Sequence, residues 1–193
     1  MTEHSFSLIP FPASVLPHIS ITGNVSLQNN ILTLYYLISG EIENILFPLK
    51  SVSPRRQDEL WKLTCFEFFL AIKDRPEYWE FNMSPSGDWN GYHMDAYRRV
   101  GFREETSLQQ LPFEAQREAD KFHLNVVVDL NPILQRRQSL ELGITGIIQT
   151  ADGKETYWAL SHPARQADFH LRESFILVLV EQPYFSIQSS SNS

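Results

Sequence analysis

The chain has 193 residues, of which 42% are hydrophobic and 20% are charged, and its formal net charge is −7. This length and apolar content predict a single domain with a substantial core. The excess of acidic residues argues against nucleic acid and anionic membranes as partners, because both bind basic surfaces.

Cysteine usage and the N-terminal residues bear on the cellular compartment. Cys65 is the only cysteine, which excludes an internal disulfide. Because it lies within an apolar run, we expect it to be a small buried side chain. The N-terminal residues show no basic region followed by an apolar run, and no stretch approaches the roughly 18 apolar residues of a membrane helix. We therefore expect a cytoplasmic protein.

Short apolar runs separated by Gly, Pro and Asn turns dominate the chain. Residues 1–18 are interrupted by three prolines, which predicts an extended edge segment lying over the domain. The run 175–181 is apolar on both faces and is predicted to be a central strand. All predicted strands together are 19–28, 31–41, 44–49, 65–72, 78–84, 96–105, 121–130, 139–150, 155–161 and 175–181.

The segments between the strands are polar and contain little helix. A short helix is predicted within 112–119, and one helical turn at 131–137, where an Asn-Pro pair can start it. The segment 84–93 combines Ser-Pro-Ser-Gly with Asn-Gly and is predicted to be a loop with tight turns. The serine-rich residues 184–193 are expected to be a disordered tail. Residues 1–183 are therefore predicted to form one all-β domain, an antiparallel β-sandwich of the jelly-roll kind.

The two runs 65–72 and 78–84 are the most informative pair in the sequence. Side chains alternate faces along a strand, so each run has one mainly apolar face. Only one pairing parity buries both apolar faces together, and a slip by one residue would expose one of them. That parity places Glu67 and Glu80 close together on the opposite face, beside Asn82. The two carboxylates are then either part of a site or solvated surface charges.

Sequence motifs for several common chemistries are missing. The chain contains no nucleotide-binding glycine loop, no G-x-S-x-G nucleophile and no H-E-x-x-H or C-x-x-C metal motif. The six histidines show no close metal-ligand spacing, although His162 and His170 share one loop. No loop is acidic enough to predict calcium. The sequence therefore predicts no cofactor from its motifs.

Three kinds of site fit the remaining residues. A sugar site needs aromatic planes for stacking and carboxylate or amide groups for hydrogen bonds. A glycosidase would use Glu67 and Glu80 as its carboxylate pair. A haem site would need an axial ligand, for which Met83, Met94 and His170 are candidates. The residues of the types that a sugar site needs are Trp61, Glu67, Glu80, Asn82 and Phe169.

Five stretches resemble a known family when they are taken in order. They are WKLTCFE (61–67), YWEFNMSPSG (78–87), KFHLNVVVDL (121–130), YWALS (157–161) and DFHLRESF (168–175). In this order they resemble the DOMON-like sandwiches related to carbohydrate-binding module family nine. The resemblance extends over roughly residues 60–181 and implies a β-sandwich fold.

The resemblance also implies a site with two aromatic clamps. In sugar-binding members one clamp tryptophan lies six residues before a strand glutamate, and Trp61 and Glu67 match that spacing. The second clamp lies in the loop before the last strand, where this chain has Phe169. The family's sugar-contacting basic residue in the second hairpin strand falls at Glu80, so the charge is reversed there. Related DOMON domains hold haem through a methionine and a histidine or lysine, and no such pair is defined in this sequence.

We therefore predict a binding module without catalytic activity, whose ligand is a sugar or another small polyhydroxylated molecule. We expect Trp61 and Phe169 to stack on the ligand, and Trp89 and Tyr92 to form a rim. The full set of predicted ligand-binding residues is Trp61, Glu67, Glu80, Asn82, Trp89, Tyr92, Phe169 and His170. A haem-binding domain, a glycoside-processing enzyme and a protein-interaction sandwich are the alternative hypotheses, and the sequence does not define the oligomeric state.

Overall fold

Short strands form almost all of the regular structure, as the alternating pattern predicted. The structure is a computed structural model, and it describes residues 2–13, 15–98, 101–135 and 138–180. Within these residues, single 3-10 turns at Ile42–Asn44, Leu60–Lys62 and Arg172–Ser174 are the only helical segments. The strands are β1 Thr2–Pro10, β2 Ile19–Gln28, β3 Ile31–Gly40, β4 Cys65–Ile72, β5 Tyr78–Met83, β6 Trp89–Met94, β7 Arg103–Glu104, β8 Phe113–Arg117, β9 Lys121–Asp129, β10 Ser139–Gln149, β11 Glu155–Ala159 and β12 Leu177–Val180.

The strands pair antiparallel into two sheets that share one core. The first sheet has the order β1-β2-β3-β9-β8, and the second has the order β7-β6-β5-β4-β10-β11, with β12 also paired to β10. Strand β1 joins the two sheets, because residues 2–8 pair with β2 and residues 9–10 pair with β11. The N-terminal segment is therefore a paired strand at the border of both sheets, not a segment lying over the domain.

Aromatic rings from both sheets meet in the core. Phe66 of β4 lies between Tyr36 of β3 and Phe122 of β9, with ring centroids 5.1 Å and 5.4 Å away. Burying a side chain of this size contributes roughly 1.5–3 kcal/mol. The buried Tyr36 hydroxyl donates a 2.7 Å hydrogen bond to the main-chain oxygen of Glu67, so its polar group is satisfied. These contacts hold β4 in place against the first sheet.

The β4–β5 hairpin has the predicted parity. Phe66 pairs with Met83 and Phe68 with Phe81, and these side chains point into the core. On the other face, Glu67 lies opposite Asn82 and Phe69 opposite Glu80. The two glutamates are therefore diagonal neighbours on adjacent strands. Cys65 is buried on this face, as expected from its apolar run.

Several predicted elements are wrong. Residues 44–49 form no strand, because Ile45 makes only one bridge to Thr150 and the chain then leaves the sheet. Residues 113–117 form strand β8 rather than a helix, because pairing with β9 buries Ala115 and overrides the weak helical signal. Strand β12 pairs only with β10 in the described part of the chain, so it is not a central strand.

The other differences lie beside the site. The segment 84–93 is a loop only up to Asp88, since β6 begins at Trp89. Among the described residues of the predicted strand 96–105, only Arg103–Glu104 pairs. The helical turn predicted at 131–137 is not formed by its described residues up to 135, where the chain makes a hydrogen-bonded turn instead. The predicted serine-rich tail lies outside the described residues. No helix within the described ranges has the length and apolar character needed to cross a membrane.

Candidate binding site

A cavity opens on the outer face of the second sheet, opposite the core. Its volume is about 350 Å³, which is within the range of small-molecule sites. Side chains of β4, β5, β10 and β11 form its floor, and loops form its walls. The lining residues are Trp61, Glu67, Phe69, Glu80, Arg98, Phe102, Ile147, Tyr157, Ala167, Phe169 and His170.

Two aromatic side chains stand on opposite sides of this floor. Trp61 contacts Tyr92 of β6, with ring centroids 6.0 Å apart. Phe169 contacts Tyr157 of β11, with ring centroids 6.1 Å apart. Strands β5, β4 and β10 lie between β6 and β11 in the sheet. The carboxyl groups on β4 and β5 therefore lie between the two rings.

Interactions of the preceding loop hold Trp61 at the cavity. The Arg56 guanidinium lies over the Trp89 ring, 4.2 Å from its centroid, where a cation is attracted to the ring face. Asp58 accepts a 2.8 Å hydrogen bond from the Tyr92 hydroxyl. A single 3-10 turn then carries Trp61. The loop is thus attached to β6 at two points just before this ring.

Two buried carboxyl groups form the polar part of the floor. Glu67 is 3% exposed and Glu80 is 5% exposed, so the alternative of two solvated surface charges is wrong. Glu67 Oε2 accepts a 3.2 Å hydrogen bond from the Thr145 hydroxyl. Glu80 Oε1 accepts a 2.7 Å hydrogen bond from the Asn82 amide. The fully buried Asn82 thereby fixes the orientation of the Glu80 carboxyl.

Burial makes both carboxyl groups harder to ionise. Loss of water raises the pKa of Glu67 well above its ordinary value, and the charge of Glu80 raises it further, while the hydrogen bond from Thr145 opposes the shift. Loss of water raises the pKa of Glu80 to about 7, against the opposing effects of Asn82 and Arg98. The pair therefore still carries bound protons close to neutral pH.

Hydrogen bonds position His170 beside Glu80. The backbone N–H of Arg98 donates to the Tyr78 hydroxyl at 3.1 Å, and this hydroxyl lies 2.9 Å from His170 Nδ1. His170 Nε2 is 3.8 Å from Glu80 Oε2. Burial and the charge of Arg98 lower the pKa of His170 to about 4, so the imidazole is neutral at pH 7. The Tyr78 hydroxyl and Nδ1 therefore share one hydrogen bond, and the other ring nitrogen, Nε2, is on the side of Glu80.

Arg98 brings a positive charge to the cavity wall. Its guanidinium lies 2.7 Å from Asp168 Oδ1, and the Tyr97 hydroxyl donates to Asp168 Oδ2 at 2.6 Å. The backbone of Arg98 is left-handed, with φ of 54°, so the chain turns soon after β6. This turn replaces the strand predicted at 96–105, which is why the sequence did not identify Arg98 as a cavity residue.

The structure brings most of the predicted site residues together. Asn82 lies beside Glu80 under the floor, and the buried Tyr92 supports Trp61. The prediction that Trp89 forms a rim of the site is wrong, because its side chain points into the core from the opposite face of β6. Positions 89 and 92 fall on opposite faces of one strand. The predicted residues that line the cavity are Trp61, Glu67, Glu80, Phe169 and His170.

Six further lining residues were not among the predicted site residues, and three of them, Arg98, Phe102 and Tyr157, bring a charged or aromatic group to the walls. Tyr157 could have been found, because alternation along β11 places it opposite the buried Trp158. Phe102 stacks on Tyr92 with ring centroids 5.0 Å apart, and it follows the turn that carries Arg98. No sequence pattern marks Arg98 or Phe102, because the approach of these two residues to the cavity depends on tertiary folding.

The proposed haem ligands do not converge. Met83 is buried in the main core, and Met94 is buried below the outer face. Neither methionine side chain lines the cavity that His170 lines, so of the three candidate haem ligands only His170 faces this cavity. Among the described residues, no three His, Cys, Asp or Glu side chains come together as a metal site.

Protein stability is expected to fall as pH rises through the ionisation of Glu80. An unfolded glutamate ionises near pH 4.3, whereas the buried Glu80 has a pKa raised to about 7. The folded state therefore binds a proton that the unfolded chain has released. This contribution is complete below the unfolded pKa and is lost by about pH 7, a change of roughly 3 kcal/mol.

The measurement compares urea unfolding of the wild type and Glu80→Gln across this pH range. His170 acts in the opposite sense, because its pKa is lowered to about 4. The difference between the two proteins cancels this effect and reports Glu80 together with its influence on the pKa of Glu67. Glu80→Gln should gain stability relative to the wild type as pH rises. Glu114→Gln, at an exposed position of β8, should show the same change of unfolding free energy with pH as the wild type. A pH-independent difference for Glu80→Gln would contradict the prediction.

Comparison with known proteins supports the fold. No family model and no curated protein matches the sequence. A protein from Bacteroides uniformis, provisionally described as carbohydrate-binding, matches with a TM-score of 0.64 at 12% identity, over 90% of this chain and 84% of its own. A carbohydrate-binding module of family 9 from Caldicellulosiruptor kristjanssonii, in complex with cellotriose, matches with a TM-score of 0.50 at 9% identity, over 80% of this chain and 71% of its own.

At such low identities the likeness defines the fold alone. The chain is an all-β protein with a β-sandwich similar to that of carbohydrate-binding module family 9. This confirms the predicted fold class and the likeness in fold to family 9 modules. The DOMON-like part of the resemblance stays a prediction.

Proposed function

We propose that this protein is a non-catalytic binding module, and that its ligand is a carbohydrate or another small polyhydroxylated molecule held in the outer cavity. The observation that carries the proposal is the placement of two buried carboxyl groups between the rings of Trp61 and Phe169. A sugar ring has apolar faces that stack on aromatic planes and hydroxyls that bond to carboxylates. Two solved structures with a similar fold are described as carbohydrate-binding, which supports the same proposal.

The cavity suits a small ligand or the end of a longer one. Its volume of about 350 Å³ is near the lower limit for small-molecule sites. Glu67 and Glu80 lie at its base, where their oxygens would accept hydrogen bonds from ligand hydroxyls. His170, held by Tyr78, would add a ring N–H donor beside Glu80. The site thus offers acceptors and a donor within a few ångströms of each other.

A thermal-shift and calorimetric screen against mono- and disaccharides tests the proposal. A ligand present at 100 times its dissociation constant should stabilise the protein by about 2.7 kcal/mol. We expect at least one saccharide to do so, and we expect Glu114→Gln to respond like the wild type. If no saccharide in the screen raises the unfolding temperature, the carbohydrate proposal is wrong.

One observation favours a second candidate, a glycoside-processing enzyme. Glycosidases use two carboxyl groups, one of which stays protonated near neutral pH, and burial raises the pKa of both Glu67 and Glu80. Hydrolysis of aryl glycosides would test it. Turnover by the wild type that is lost in both Glu67→Gln and Glu80→Gln would support catalysis. Sugar binding by the wild type without turnover would rule out the enzyme hypothesis.

A further inference from the structure

The floor of the cavity carries two carboxyl groups that no basic side chain of the described residues pairs with directly. No Lys or Arg nitrogen of the described residues lies within 4.0 Å of either Glu67 or Glu80. The closest basic group is the neutral His170, whose Nε2 is 3.8 Å from Glu80 Oε2. Arg98 lines the wall, but its guanidinium is paired with Asp168 at 2.7 Å. A ligand therefore meets two carboxyl groups without a cation of their own.

Hydrogen-bond acceptors also outnumber donors at this floor. Within the described ranges, the side-chain hydrogen bonds to the two carboxyl groups come from Thr145 and Asn82. The fully buried Asn82 donates its amide to Glu80, and its Oδ1 has no hydrogen-bond partner among the described residues. An unpaired buried acceptor is costly. The floor is thus suited to a group that brings several donors.

The walls of the cavity also favour a cation. Five of the lining residues are aromatic, and the faces of such rings attract positive charge. Trp61 and Phe169 stand on either side of the carboxyl groups, as their contacts with β6 and β11 show. Aromatic rings around a carboxylate form the kind of site that binds ammonium groups.

We propose that the ligand is a sugar carrying a protonated amine, and that the ammonium group lies between Glu67 and Glu80 while the sugar ring stacks on the aromatic walls. This rests on the proposed carbohydrate-binding function and names its ligand class. The ammonium group supplies three donors and a positive charge. A neutral hydroxyl at the same position would leave the pair protonated and would add no attraction between opposite charges.

Proton release follows from this arrangement. Burial raises the pKa of both carboxyl groups, so the free protein holds protons there near neutral pH. A cation within hydrogen-bonding distance lowers the pKa of a carboxyl. Binding an ammonium group should therefore expel protons from the Glu67–Glu80 pair. The other ionisable groups that interact with the pair do not change protonation near neutral pH. Arg98 keeps its charge, His170 is neutral because its pKa is lowered to about 4, and burial raises the pKa values of Cys65, Tyr36, Tyr78 and Tyr92.

The test compares glucosamine with glucose, which differ by an ammonium in place of one hydroxyl. Isothermal titration near pH 7 should give a dissociation constant for glucosamine at least about tenfold below that for glucose. Uncharged N-acetylglucosamine should lose this preference. Titration in buffers of different ionisation enthalpy should show proton release with glucosamine and none with glucose. Glu67→Gln and Glu80→Gln should each reduce the preference to below about threefold, whereas Glu114→Gln should keep it.

The outcomes separate this inference from the proposed function. Equal affinities for glucosamine and glucose would overturn the amine proposal and leave sugar binding in place. If neither of these two sugars nor any saccharide of the screen binds, the carbohydrate function fails, and ethanolamine then decides the question of the cation. Ethanolamine binding that is lost in Glu80→Gln would keep the cation site without the sugar, and no binding would overturn it.

Discussion

Trp61→Ala is expected to weaken ligand binding by at least roughly thirtyfold, which corresponds to the 2 kcal/mol or more of an aromatic hot spot. Trp61 is only partly buried, and its ring contacts that of Tyr92 in an edge-on arrangement. The rest of the indole surface borders the cavity, where it can stack on a ligand. The free energy of unfolding should therefore change by only about 1 kcal/mol. Calorimetric titration and urea unfolding of the same variant measure the two effects separately.

Trp89→Ala is the matched control and should show the reverse pattern. Trp89 is 8% exposed and packs in the main core with Arg56 over its ring. Truncating a buried aromatic side chain typically costs about 3–5 kcal/mol. Trp89 does not line the cavity, but its ring holds Arg56 of the loop that precedes Trp61. The variant that remains folded should therefore lose less ligand affinity than Trp61→Ala does. A large stability loss with Trp61→Ala would instead make Trp61 a core residue and remove it from the site.

Phe68→Ala should lower the free energy of unfolding by about 3–5 kcal/mol, as expected for a fully buried aromatic side chain. Phe68 is fully buried on the core face of β4. Its ring stacks on Phe81 of β5, with centroids 4.6 Å apart and planes at 19°. Truncation would leave a cavity between the sheets and would also remove this aromatic pair, which by itself is worth about 0.5–1.5 kcal/mol.

Val127→Ala provides the comparison for this variant. Val127 lies on β9 and is 43% exposed, so its truncation should change stability by less than about 0.5 kcal/mol. Urea unfolding gives both values under identical conditions. Similar effects of the two substitutions would mean that the β4–β5 hairpin does not pack against the first sheet as described.

The central hairpin could be predicted from the sequence, whereas the burial of its glutamates could not. Period-two alternation in 65–72 and 78–84 was enough to choose the parity, because the wrong register would expose a row of Phe side chains. The same alternation placed Glu67 and Glu80 together on one face. Their burial depends on the loop that precedes β12 and on the turn that follows β6, because these segments cover the outer face. Alternation within the two strands carries no information about that cover.

Failures in the prediction have the same physical origin. Strand β8 is polar and short, and only its pairing with β9 gives it an extended conformation. Trp89 was placed at the site because Asn-Gly and Ser-Pro signals suggested a loop. The strand β6 instead begins at Trp89 and turns the indole into the core. Local turn signals are weak where neighbouring strands provide the hydrogen bonds.

The sequence by itself determined the all-β class, the strong strands and the pairing of the central hairpin. These features depend on local alternation and turn residues, which are readable from neighbouring positions. Only the tertiary structure decided that Arg98, Phe102 and Tyr157 join Trp61 and Phe169 around one cavity. The reason is that these residues come from separate parts of the chain, and loops without a repeating pattern bring them together.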